Sequence, residues 1–278
     1  MFHTLPDFTH NVKAYVRFAR EEWVGLIVTS LFAGFILTFN KWGGDTFDVS
    51  AGVRALTVMF LFLLFILLVT VLVCKLLALR FGYELHYEPH LVGMMFGLII
   101  TVASVGYLPI FLPGGYRLHK PERLYIGHWR GYQRTWEVAL ICGTFPLLML
   151  LYVFLLNPIY LATQSELVMS FITALSLFAI YACIPLPNVA LEYGGRVLDF
   201  FRYLRGTTFG LEVFFNSRVW YATLVVFVLL SSVFSWIITV TGGRIGFWLY
   251  ILTMIVALLV MWAYRKFYDI PGLGGGFR

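Results

Sequence analysis

Thr70-Val71-Leu72-Val73-Cys74-Lys75-Leu76-Leu77-Ala78-Leu79-Arg80-Phe81-Gly82-Tyr83-Glu84 joins two kinds of order. Up to Leu79 it closes an apolar run, 55–79, long enough for a bilayer-spanning helix, which needs about 20 residues. Lys75 is the one clear charge inside any such run. It sits about a turn from the helix end, so its long side chain is expected to snorkel to the interface. Beyond Arg80 the period changes: Phe81, Tyr83, Leu85 and Tyr87 alternate with Gly82, Glu84, His86 and Glu88. Alternation by two predicts a strand over 81–88 with one apolar face, which Pro89 ends or confines to a sheet edge.

The rest of the chain agrees with a membrane setting. Of 278 residues, 60% are hydrophobic and 12% charged, and the mean hydropathy is +0.86. No polar stretch is long enough for a sizeable soluble domain. Apolar segments fall at 23–39, 55–79, 91–112, 136–156, 167–187, 219–241 and 245–264. Segment 91–112 carries Gly93, Gly97, Gly106 and Pro109 and is followed by Pro113, which suits a broken or re-entrant path. If that segment returns to its starting side, 16 of the 20 Lys and Arg flank one face of the membrane. Lys41, Arg54 and Arg244 flank the other, and Lys75 lies within a span. Seven full crossings divide the charges less cleanly. The expectation is therefore an all-α polytopic membrane protein with six transmembrane helices, one re-entrant segment and a small membrane-associated β element. Both termini are expected in the cytoplasm and the location is the cell membrane.

The net charge of +6 follows from these flanking residues and does not indicate nucleic acid. Residues 1–22 lack the pattern of a signal peptide. Val12, Tyr15, Val16 and Ala19 recur at helical spacing between Lys13, Arg17, Arg20 and Glu21, which reads either as an amphipathic interfacial arm or as an ordinary solvated helix. Residues 23–264 form one transmembrane domain, closing with a helical pair at 219–264, and 265–278 read as a flexible Gly-rich tail. Cys74, Cys142 and Cys183 all lie in apolar runs as small hydrophobes. The stretch 199–218, aromatic and arginine-rich, reads as an interfacial segment. Arg117, Lys120, Arg123, Arg130 and Arg134 form a basic loop that either grips anionic lipid head groups or is simply a positive-inside loop.

Four blocks, in order, resemble the archaeal-type site-2 intramembrane metalloproteases. The first is Cys74–Glu84, similar to the family's Lys-x-x-Ala-x-Arg-Tyr-Gly-Tyr-Glu stretch that follows a His-Glu-x-x-His helix. The second is the alternating strand. Gly131 to Pro146 is similar to a helix start with Ala-Gly-Pro. Ile184-Pro185-Leu186-Pro187 through Glu192-Tyr193-Gly194-Gly195 is similar to a proline turn followed by Leu-Asp-Gly-Gly. The resemblance covers roughly 55–200 and implies a site-2-protease-like core. It also places Thr70 and Cys74 where the family has its two histidines, and Val71 where it has its general base. Tyr193 precedes the glycine pair where an aspartate ligand belongs, with Glu192 the nearest carboxylate.

Zinc hydrolysis needs about three protein ligands, an open position for water and a base to deprotonate it. Thr70 is a poor ligand and Val71 accepts no proton. None of the six histidines lies deep in a span. His86 and His90 have ligand-like spacing, but Pro89 breaks the helix that spacing requires. No serine or aspartate pair suits other intramembrane proteolysis. The expected protein is thus a degenerate member, a pseudoprotease without a cofactor. It would bind or position another membrane segment along the strand bearing Phe81, Tyr83, Leu85 and Tyr87, or serve as a subunit of a membrane complex. The alternative is a working zinc enzyme with rearranged ligands from Cys74, His86, His90 and Glu192.

Overall fold

The structure, a computed structural model, describes residues 15–43, 48–119, 135–186 and 208–240, with shorter pieces at 12, 192–193, 196–197 and within 252–263. It is built mainly of helices: α1 (Arg20–Thr38), α2 (Val49–Arg80), α3 (Leu91–Ala103), α4 (Thr135–Thr163), α5 (Glu166–Ala182), α6 (Phe209–Asn216) and α7 (Arg218–Val240). Two short antiparallel ribbons accompany them, β1 (Glu84–Glu88) with β2 (Gly115–His119), and β3 (Glu192–Tyr193) with β4 (Arg196–Val197). Four of the helices, α1, α2, α4 and α7, are long and apolar enough to cross a membrane. These four correspond to the apolar segments 23–39, 55–79, 136–156 and 219–241. Helix α5 has 17 residues, about 25 Å at 1.5 Å per residue, and stops before Pro185 and Pro187. Segment 91–112 is helical only to Ala103, and most of 245–264 lies outside the described residues, as does the tail 265–278.

Helix α1 begins at Arg20, and Val16 to Ala19 are not helical. The expected arm helix therefore does not run through Arg20 and Glu21, which belong to the first turn of α1. Glu22 starts that helix by reaching back to accept from the Ala19 N–H at 2.8 Å, one half of a capping box. Asp48 caps α2 by accepting from the amides of Ser50 and Ala51, as an N-cap aspartate does. Inside the helices Ser30, Thr38, Thr70, Thr101 and Thr144 each donate to the carbonyl four residues back. That satisfies a hydroxyl where water is scarce.

Helix α2 ends in a Schellman motif. Gly82, at φ +82°, lets its N–H reach Leu79 O and lets the Tyr83 N–H reach Ala78 O, the paired bonds of that cap. The strand consequently begins at Glu84 rather than at Phe81. The alternation survives within it: Tyr83, Leu85 and Tyr87 are buried, while Glu84, His86 and Glu88 are half-buried on the other face.

The segment between the ribbon strands leaves and returns to one point. Glu88 and Gly115 are partners in the β1–β2 register, so everything between them is an excursion. Helix α3 carries the chain out, and Gly106 at the far tip accepts from Asn40 Nδ2 at 3.1 Å, beyond the opposite end of α1. Residues 107–114 come back without regular structure. Their carbonyls are served by side chains: Tyr181 Oη donates to Pro109 O at 2.8 Å, Thr101 Oγ1 to Leu108 O at 3.4 Å, and Tyr87 Oη to Pro113 O. With its proton used there, Tyr87 accepts from Thr29 Oγ1 at 2.8 Å. Phe111 is fully buried against Phe178 and Tyr181.

Two further expectations change. Pro146 lies well inside α4 rather than at a helix start. In the aromatic stretch 199–218, Phe209 is no interfacial residue. It is fully buried, stacked on Phe145 at 4.0 Å and edge-on to Tyr116 at 4.7 Å.

Candidate functional site

Thr70 and Val71 both neighbour Cys74 on α2, because residues four and three apart meet on a helix surface. All three are fully buried. The Thr70 hydroxyl donates to Ile66 O at 2.7 Å, with Tyr152 Oη 3.5 Å away. Val71 offers no polar atom. The Cys74 thiol neighbours the Tyr116 hydroxyl, which makes no hydrogen bond of normal geometry among the described residues. The apolar parts of Tyr116, Phe145 and Phe209 close this region from the β2 side. What stands at these positions is packed core, with a hydroxyl turned to its own helix.

One residue on from Cys74, about 100° round the helix, Lys75 points elsewhere. It does not snorkel: Lys75 Nζ is buried and pairs with Glu22 Oε2 at 2.8 Å, the side chains being 3% and 2% exposed. It also donates to Arg17 O at 2.9 Å and lies 4.9 Å from the centre of the Phe18 ring. Glu22 Oε1 accepts from the Tyr87 N–H at 3.0 Å. One carboxylate thus joins the start of α1, the end of α2 and the outer edge of β1. Sequence reasoning missed Glu22. The available signal was chemical: a lysine one turn inside a span needs a carboxylate, and an acid in the first turn of the preceding span supplies one.

The strand residues expected to meet a client face inward. Tyr83, Leu85 and Tyr87 are each at most 3% exposed and Phe81 is half-buried. The Tyr83 hydroxyl donates to Glu137 Oε2 at 2.9 Å. The outer edge of β1 meets Glu22 at Tyr87, whereas β2 has no second strand beside it among the described residues.

The other face of the ribbon is polar. His86 lies 3.4 Å from Glu84 and 3.7 Å from Glu22, and Arg117 pairs with Glu88 at 3.0 Å. Burial raises the Glu88 carboxyl, while Arg117 and His86 pull it back. His90 serves a different purpose from His86: its Nδ1 accepts from the Gly93 N–H at 2.9 Å, capping α3, and burial pushes its pKa down. His90 thus has one ring nitrogen committed to the α3 cap, while His86 lies beside Glu84 and Glu22. No group of three His, Cys, Asp or Glu is arranged to hold a metal ion among the described residues.

Of the basic loop, Arg117 is described and exposed, whereas Lys120, Arg123, Arg130 and Arg134 lie outside the described residues. Glu192 and Tyr193 pair with Val197 and Arg196 in a short hairpin. Their side chains, and with them any approach of Glu192 to Cys74, also lie outside.

Comparison with protein-family models, curated proteins and solved structures finds no match.

Proposed function

We propose that this chain is a catalytically inactive relative of the site-2 metalloproteases, a pseudoprotease that binds or positions another membrane segment. The observation that carries this reading is the state of Thr70, Val71 and Cys74: sealed in the core, with one hydroxyl bound to its own helix and a valine where the base belongs. Neither the valine nor the threonine supplies what water activation on a metal requires. The six-span, one re-entrant arrangement is part of the same proposal. The shared register position of Glu88 and Gly115 supports a returning 89–114 segment, as does the burial of its irregular backbone at Phe111 and Leu112. Irregular backbone at membrane depth is tolerated where protein covers it.

Client pairing fits the edge of β2, unpaired among the described residues, better than β1. Strand addition supplies main-chain hydrogen bonds to an unpaired edge. Because the Tyr87 N–H points away from β2, alternation along the ladder turns the Leu118 N–H away from β1. Leu118→Pro therefore removes an outward donor and spares the ribbon. In this reading the purified protein shows no chelator-sensitive peptidase activity, a membrane client co-purifies, and Leu118→Pro loses that client while retaining the wild-type melting temperature. Chelator-sensitive cleavage with stoichiometric zinc overturns it in favour of an enzyme using Cys74 and Glu192.

A role as subunit of a larger membrane complex has its own observation. Helix α3 is too short to cross and turns Met95, Phe96, Ile99 and Val102 outward. Stable stoichiometric partners after mild solubilisation, insensitive to Leu118→Pro, favour that reading.

A further inference from the structure

At the end of the bundle away from the β1–β2 ribbon, the α1–α2 turn and the start of α5 enclose a groove of about 520 Å³. Phe171 lines it and is held against α2 by stacking on Phe62, the rings 3.8 Å apart and 6° from parallel. Leu37, Val58 and Leu167 give it apolar walls, while Lys41 and Arg54 stand on its rim. Both cations are exposed, and neither forms an ion pair among the described residues. Among the described residues, Glu166 is the one acid lining the groove, against the two cations. Asp48, next to the turn, has its Oδ1 occupied by Ser50 and Ala51.

We propose that this groove binds an anionic phospholipid of the surrounding bilayer, its phosphate at Lys41 and Arg54 and an acyl chain along the apolar walls. Two cations with no ion pair among the described residues, beside an apolar cleft, match a ligand with a negative head and a hydrocarbon tail. A zwitterionic lipid carries its own cation and gains less from the rim. A free anion leaves the apolar walls unused, and an apolar partner helix leaves both cations unanswered. The site lies at the opposite end of α1 and α2 from Glu22 and Lys75, so it stands or falls independently of the pseudoprotease reading.

Native mass spectrometry of the full-length protein in detergent tests it, with phosphatidylglycerol and phosphatidylcholine of identical chains as probes. The expected result is one tight phosphatidylglycerol adduct, unaffected by inorganic phosphate. Lys41→Gln or Arg54→Gln each weakens it about fivefold and the double variant about thirtyfold, taking roughly 1 kcal/mol per cation near a membrane surface. Ser170→Trp fills the cleft with both cations intact and also removes the adduct. Equal binding of the two lipids, full displacement by phosphate, unchanged affinity in the double variant, or no adduct on the wild-type protein overturns the proposal. The last outcome means that the groove is already filled by a partner helix or by the chain's own 245–264 segment.

Discussion

Glu22 makes contacts that no neutral residue of its size reproduces. It neutralises Lys75, accepts the amide that starts α1 and accepts the amide of Tyr87. Removing one member of a buried pair costs about 3–5 kcal/mol, whereas replacing both with neutral groups of similar volume is close to neutral. Lys75→Met alone is expected to lower the melting temperature in detergent strongly, and Glu22→Gln with Lys75→Met to recover part of the loss, since Gln retains one of the two acceptor oxygens. A double variant no better than the single one shows that the pair is not coupled as its geometry indicates. His90 gives a pH dependence. Its Nδ1 must be unprotonated to accept from Gly93, and burial holds its pKa below the ordinary value of roughly 6.5. The unfolded chain therefore takes up the proton first, and stability falls as pH drops from that ordinary value towards the depressed one. The protection factor of the Gly93 amide is expected to decline over this window. His90→Asn, which retains a cap acceptor, should flatten the dependence.

At the scale of elements, each junction is set by a small number of atoms. The Schellman cap at Gly82 fixes where α2 stops, and so determines which residues of the alternating stretch face the core. Helix α3 depends on its return leg in the same way. A Cβ on Gly97 would run into the carbonyl of Ile110 and approach the backbone of Phe111 at 3.1 Å. Backbone yields less readily than a flexible side chain, and overpacking of this kind costs about 1–3 kcal/mol. Gly97→Ala is thus expected to lift α3 off residues 108–111, making a cysteine placed at Leu112 newly reactive to thiol reagents. Continued protection of that cysteine would show that the two legs separate without consequence.

Among the described residues, helices expose leucine, valine and phenylalanine outward and bury, alongside other large apolar side chains, small and polar residues between them. That distribution suits lipid, where packing and internal hydrogen bonds hold helices together in place of a hydrophobic driving force. The excursion at 89–114 makes a topological prediction. Tyr107, 85% exposed beside the α1–α2 turn, and Arg117 on the ribbon lie at opposite ends of α1. The native cysteines are all buried, so single cysteines at these positions are the reactive ones for a membrane-impermeant maleimide. Tyr107→Cys is expected to label together with a cysteine at Lys41, and Arg117→Cys from the other side. Labelling of both from one side would place the excursion along the surface.

Composition and periodicity were enough to establish a helical membrane protein, because apolar length and alternation act through each residue's own solvent and neighbours. They placed α1 and α7 within a few residues, started α2 six residues late and ended α4 seven residues early, and recognised the two faces of β1. They also indicated that Thr70, Val71 and Cys74 make a poor metal site, since ligand chemistry belongs to the side chain itself. Tertiary structure alone decided which cations remain exposed and which are buried, and it paired Lys75 with Glu22 across 53 positions. It likewise drew Phe209 into the core, turned Tyr83, Leu85 and Tyr87 inward and closed 89–114 on itself. Each of these depends on contacts between distant segments, and a linear pattern records a residue's preference for burial but not the partner that burial will bring.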